Sequence, residues 1–88
     1  MPNKFAIDRP FADPDKAARK LLELANAAEA DRDQRIAIEL INSPFLSAGG
    51  SPDEYFAGIE LAIAKGWLIK HRSGVYVKFT QAGADLFA

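Results

Sequence analysis

The sequence contains no cysteine and a single histidine among its 88 residues. The lack of cysteine excludes disulfides, thiol nucleophiles and zinc–thiolate sites, and it is compatible with a reducing compartment. No apolar run approaches the roughly 20 residues that cross a bilayer, and prolines and aspartates interrupt the amino-terminal segment where a signal peptide needs a continuous apolar stretch. We therefore expect a cytoplasmic protein without a membrane partner.

Strong net charge is also lacking, since the formal charge at pH 7 is -1. Its distribution is uneven: residues 1–65 carry eight Lys/Arg against eleven Asp/Glu, whereas residues 66–88 carry three against one. This falls short of the basic bias that is typical of nucleic-acid binders. Apolar residues make up 49% of the chain, which is enough for one domain with one core.

The amino-terminal segment, residues 1–12, has prolines at positions 2 and 10 and an alternation of Phe5 with Ile7. This pattern predicts an extended arm, followed by a single domain over residues 13–88. Two alternatives stay open for the arm: Phe5, Ile7 and Phe11 cover the domain's own core, or they dock on a second copy of the chain.

Two helices have clear start signals. Asp13 and Pro14 predict a helix that ends near Glu29, and Ser51-Pro52 predicts one that runs to Lys65 and stops at Gly66. Helical spacing predicts that the apolar side of the second helix contains Tyr55, Phe56, Ile59, Ala62 and Ile63. The opposite, exposed side is then expected to contain Asp53, Glu54, Ala57, Gly58, Glu60, Leu61 and Lys65.

The segment between these helices fits both helical and strand periodicity. We expect a short strand at residues 35–38 and a short helix through about Asn42, because Pro44 opposes a helix that continues to residue 46. Phe45 and Leu46 are expected in the core.

Two runs near the carboxyl end, "WLIKHR" and "VYVKFT", are rich in β-branched and aromatic residues. Ser73-Gly74 lies between them and supplies a residue that tolerates positive φ, so the runs are predicted to pair as an antiparallel hairpin. Thr80 is placed to cap a final helix whose Leu86 and Phe87 are expected to return to the core.

The stretches "AIAKGWL" and "VYVKFTQAG" resemble the winged helix-turn-helix domains of bacterial transcriptional regulators, with a similarity that extends from about Arg35 to Phe87. The resemblance implies an α+β fold with three main helices, a two- or three-stranded antiparallel sheet and a short carboxyl-terminal helix. It places residues 52–65 in the position of the recognition helix and residues 67–79 in the wing. It also implies DNA binding and transcription regulation.

The wing supplies the residues for such binding. Lys70, Arg72 and Lys78 form a small cationic set with His71 between two of them, and we predict that these four residues contact nucleic acid weakly and with strong salt dependence. Asp53 and Glu54 oppose this function, because carboxylates in the first turn of a recognition helix are repelled by phosphates.

The alternative function is a protein-association or self-association module that has the fold but does not bind DNA. Its candidate contact residues are Phe5, Phe11, Leu61 and Trp67, because so small a chain cannot bury all of its large apolar side chains. Catalysis, a cofactor and a metal site are not expected, since the single histidine has no nucleophile arrangement or ligand cluster near it in sequence.

Overall fold

Four α-helices and a three-stranded antiparallel sheet form the described part of the chain, residues 9–88 of a computed structural model. The elements are a 3-10 helix (Pro10–Ala12), α1 (Pro14–Ala27), β1 (Ile36–Ala37), α2 (Glu39–Ser47), α3 (Pro52–Ala64), β2 (Leu68–Lys70), β3 (Tyr76–Phe79) and α4 (Gln81–Asp85). The predicted α+β class, with three main helices, an antiparallel sheet and a short final helix, is confirmed.

The amino-terminal arm is only partly covered, because Phe5 and Ile7 lie outside the described residues. Pro10–Ala12 forms a 3-10 helix where we expected extended chain, since the fixed φ of Pro10 suits a first helical position. The ring of Phe11 lies 4.9 Å from that of Phe45 and packs against the core. Of the two alternatives for the arm, packing on the chain's own core is therefore the one that Phe11 follows.

Helix α1 begins as predicted. The Asp13 side chain accepts a hydrogen bond of 3.0 Å from the Asp15 amide, and Pro14 takes the first helical position. The helix ends at Ala27, two residues before the predicted end. Its buried face carries small and branched apolar side chains: Ala17, Ala18, Leu21, Leu22 and Ala25.

The expectation that Pro44 ends α2 is wrong, because the helix continues through Pro44 to Ser47. Pro44 has no amide hydrogen, so it cannot donate the helical hydrogen bond to the Leu40 carbonyl. Leu40 belongs to the exposed side of the helix, and the loss of one hydrogen bond is tolerated there. Phe45 is fully buried as expected. Leu46 is exposed, since the next position along a helix turns about 100° away from the core.

The sheet has the order β1-β3-β2, and both pairings are antiparallel. The strand expected at 35–38 is present as the two-residue β1. Val77 of β3 is fully buried and pairs with Ile36 on one side and Lys70 on the other. The hairpin turn lies where it was predicted, with Gly74 at φ +81°.

The rotation of α3 about its axis differs from the prediction. The buried residues are Glu54, Tyr55, Gly58, Ile59 and Ala62, so the expected exposure of Glu54 and Gly58 is wrong. Phe56, expected in the core, is 60% exposed, whereas Leu61 and Ile63 are partly buried.

The cause of this rotation is close packing of α3 on α1. A Cβ atom added at Gly58 would lie 2.7 Å from Leu21 Cδ1 and 3.0 Å from Ala17 Cβ. Because Gly58 has no side chain, the two helices approach each other closely. The spacing of the large apolar residues in the sequence does not predict this contact.

Helix α4 is capped as predicted. The Thr80 hydroxyl accepts a hydrogen bond of 3.0 Å from the Gly83 amide and donates one to the Gly66 carbonyl. Leu86 and Phe87, expected in the core, are both exposed, because α4 ends at Asp85 after little more than one turn. The Phe87 ring keeps an edge contact with Phe79, with 5.8 Å between centroids.

The Gly58 contact yields a stability prediction. Replacing glycine by alanine inside a helix normally stabilises by about 1 kcal/mol, but here the methyl group has no room against α1. We expect Gly58→Ala to lower the free energy of unfolding by about 1 to 3 kcal/mol, measured by urea denaturation. Ala57→Gly, at the neighbouring and partly buried position, serves as the comparison for the effect of helix propensity. An increase in stability for Gly58→Ala would contradict the packing.

Candidate functional site

The outward side of α3 carries an exposed aromatic ring between two carboxylates. Since Glu54, Gly58 and Ile59 face the core, the helical spacing turns Asp53, Phe56 and Glu60 to solvent, and all three are exposed. Neither Asp53 nor Glu60 forms an ion pair with any of residues 9–88. We call Asp53, Phe56 and Glu60 the α3 outward face.

Glu54 does not belong to this face. Its carboxylate accepts a hydrogen bond of 2.9 Å from the Ser51 amide, while the Ser51 hydroxyl accepts one of 3.1 Å from the Glu54 amide, which completes a capping box. Arg9 Nη2 lies 3.1 Å from the same carboxylate. The side chain is only 8% exposed and its charge is paired with Arg9, so Glu54 does not present the free, outward carboxylate on which the expected repulsion of DNA phosphates rests.

The Glu54 carboxylate consequently ionises more readily than a free one. The hydrogen bond from the Ser51 amide is the main stabiliser of the charged carboxylate, and Arg9 stabilises it further. Burial favours the neutral form, but its effect is smaller, so the pKa of Glu54 is lowered.

A second surface lies on the face of the sheet that points away from the core. Val77 faces the core, so its neighbours Tyr76 and Lys78 face outward, and Lys78 pairs across the strands with the exposed Ile69. A shallow cleft on this side is lined by residues that include Asp33, Arg35, Ile69, His71 and Lys78. We call the residues of this side the outer sheet face; they are Arg35, Ile69, His71, Tyr76 and Lys78.

Arg35 of the outer sheet face is held in place by its neighbours. Its guanidinium lies 4.9 Å from the centre of the Tyr76 ring and pairs with Asp31 at 2.9 Å and Asp33 at 3.5 Å. Arg35 therefore contributes little free positive charge. Lys78 is exposed and has no ion pair within residues 9–88.

The four residues predicted to contact nucleic acid do not form one surface. Lys78 and His71 lie on the outer sheet face, and the His71 ring meets Tyr76 edge-on at 5.9 Å. Lys70 pairs with the core-facing Val77 and so belongs to the opposite face of the sheet, while Arg72 lies in the turn. Lys70, Arg72 and Lys78 are all exposed.

The residues predicted for a protein interface are mostly engaged with the chain itself. Trp67 is partly buried, and Lys65 Nζ and the Arg19 guanidinium lie 5.1 and 5.6 Å from the centre of its ring. Both cations also pair with Asp15, at 3.6 and 2.9 Å. Leu61 is partly buried against the core, contrary to its expected exposure, and Phe5 lies outside the described residues.

Sequence reasoning missed Phe56 as a surface residue, although a usable signal was present. Ser51 and Glu54 match the spacing of a capping box, which directs the Glu54 side chain back toward the start of the helix. With Glu54 on the inner side, helical geometry turns Phe56 outward.

Comparison with protein families, with curated proteins and with solved structures gives no match. Within residues 9–88 there is no group of three or more histidine, aspartate or glutamate side chains placed to hold a metal ion. Nor does that part of the chain contain a helix with the length and apolarity needed to cross a membrane.

The lowered pKa of Glu54 predicts a pH-dependent contribution to stability. The pKa of Glu54 is lower in the folded protein than its ordinary value of 4.5, so the charged carboxylate stabilises the fold at any pH above that value. This stabilisation is lost as the pH falls through the pKa of the folded protein. Glutamine keeps the capping hydrogen bonds without the charge. We therefore expect the melting temperature of Glu54→Gln to fall less steeply with acid than that of the wild type.

The matched control for this test is Asp53→Asn, which removes the exposed carboxylate next to Glu54. Its acid-induced decrease in melting temperature should follow that of the wild type. Equal slopes for Glu54→Gln and the wild type below pH 4.5 would contradict the role assigned to Glu54.

Proposed function

We propose that this chain is a non-enzymatic protein-association module of winged-helix-like architecture that binds its partner through the α3 outward face. The order of helices and strands, with a hairpin directly after α3, supports the winged-helix resemblance. One observation carries the assignment to protein partners: Phe56 is 60% exposed, in the helix that would read DNA, between two unpaired carboxylates.

The chemistry of this face suits a protein better than a DNA duplex. A helix in the major groove offers cationic or amide side chains to base edges and phosphates, whereas Asp53 and Glu60 offer negative charge. An exposed phenylalanine rimmed by charged groups is the composition of a protein interface, where aromatic anchors supply most of the binding energy.

A photo-cross-linking phenylalanine analogue at position 56 tests this proposal in cells that produce the protein. We expect a covalent protein adduct after irradiation, because Phe56 lies within the contact surface. The analogue at position 86 is the matched control, since Leu86 is also exposed, at 48%, but lies at the end of α4. Adduct formation at position 56 that does not exceed the control would contradict the proposal.

DNA binding through the wing is the second candidate function, favoured by three exposed cations near the hairpin: Lys70, Arg72 and Lys78. None of the three forms an ion pair within residues 9–88. This leaves them free to neutralise phosphates. Their placement on two faces and a turn limits how many of them one duplex contacts at once.

Titration of a labelled duplex at several salt concentrations tests this second function. Three phosphate contacts give a slope of log K against log salt of roughly -2.7, and the slope should flatten when the three cations are replaced by alanine. Phe56→Ala should leave DNA binding unchanged. Undetectable binding at low salt, with the fold intact, would eliminate the DNA function.

A further inference from the structure

We propose that a cleft between the end of α1 and the start of α4 binds a small organic carboxylate with an apolar body. The cleft is lined by residues between Ala25 and Ile36 on one side and between Lys78 and Ala84 on the other, and we call it the α1–α4 cleft. Its volume of about 410 Å³ lies within the range of about 300 to 1,000 Å³ that is typical of ligand pockets. No residue of α3 lines it, so this proposal is independent of the proposed function.

The deepest part of the α1–α4 cleft is apolar. Ala25 and Ile36 are buried, and Phe79 is partly buried with them. Ala28 and Ala84 also line the cleft, and their short side chains leave its space open. An apolar body that enters the cleft covers these side chains and leaves water, which supplies a favourable free energy of binding.

The charge of the cleft favours an anion. Lys78 is the one charged residue in its lining, which contains no Asp or Glu, and the ammonium group forms no ion pair within residues 9–88. Asp33 shares the neighbouring cleft of the outer sheet face with Lys78, but its carboxylate already pairs with Arg35 at 3.5 Å. One unpaired cation matches a ligand with a single negative charge, because a second charge on the ligand would lack a partner.

Exposed amide side chains form the polar rim of the cleft: Asn26, Gln34 and Gln81. The Gln81 amide donates a hydrogen bond of 2.8 Å to the Asp85 carboxylate. The side chains of Asn26 and Gln34 form no hydrogen bond within residues 9–88. Their amide groups are therefore free to donate to a bound carboxylate.

The backbone of Gln34 also favours a role for its side chain in binding. Its φ is +66°, and it is the one residue other than glycine with a positive φ among residues 9–88. Asp31 fixes this conformation, because its carbonyl accepts from the Gln34 amide and its carboxylate accepts from the Arg35 amide, each at 2.9 Å. Glycine adopts such a φ with less strain, so Gln34→Gly separates binding from folding.

Titration of the isotope-labelled full chain with isovalerate, followed by NMR, tests the proposal. We expect saturable shifts of the amides at residues 25–36 and 78–84, with no change along the α3 outward face. Isovaleramide has nearly the same shape without the charge and should bind about tenfold more weakly or less, because it loses the ion pair with Lys78. No saturable shift at the cleft, or equal affinities for the acid and the amide, would overturn the proposal.

Lys78→Met tests the charge within the protein, since methionine keeps much of the length of lysine. It should weaken isovalerate binding about tenfold. Lys70→Met is the matched control, because it makes the same change on the opposite face of the same hairpin, and it should leave the affinity within about twofold of the wild type. Thermal melting of each variant separates loss of binding from loss of fold. Equal effects of the two substitutions would overturn the proposal.

Two further variants test the space and the rim of the cleft. Ala84→Leu, at an exposed position of α4, should abolish the isovalerate shifts with the fold intact, because the larger side chain fills the cleft. Gln34→Gly should raise the melting temperature and weaken binding about threefold or more, because it relieves the backbone and removes an amide donor. Unchanged affinity in both variants would place the ligand elsewhere and overturn the site.

Discussion

The close contact between α3 and α1 at Gly58 is the constraint on which the arrangement of the surfaces depends. Because no side chain separates the helices, Leu21 and Ala17 fill the space and fix the rotation of α3 about its axis. This rotation places Glu54 in its capping box and turns Phe56 to solvent. One missing Cβ atom thus decides which chemistry the helix presents.

Local signals in the sequence predicted most elements of the fold. The caps at Asp13, Ser51 and Thr80 and the turn at Gly74 each act through neighbouring backbone groups, so a short stretch contains the necessary information. The rotation of α3 was not predicted, because it depends on packing against a helix about 40 residues earlier, where a glycine contributes by its lack of a side chain.

The charges of the candidate site were predictable in kind but not in position. Sequence alone showed a basic hairpin and an acidic helix. It did not show that strand register separates Lys70 from Lys78, or that Glu54 pairs with Arg9 and leaves Asp53 unpaired. These facts follow from tertiary contacts. They move the balance of the two proposed functions toward protein association, because the free charge of α3 is negative and surrounds an exposed ring.

Amide chemical shifts of the isotope-labelled protein, followed by NMR as a lysate of the cells that produce it is added, test the central claim most directly. Association with a protein through the α3 outward face predicts shifts or line broadening along that face, with little change on the exposed side of α1. Amide signals that do not respond to the lysate, or shifts that cluster on α1 instead, would contradict this account.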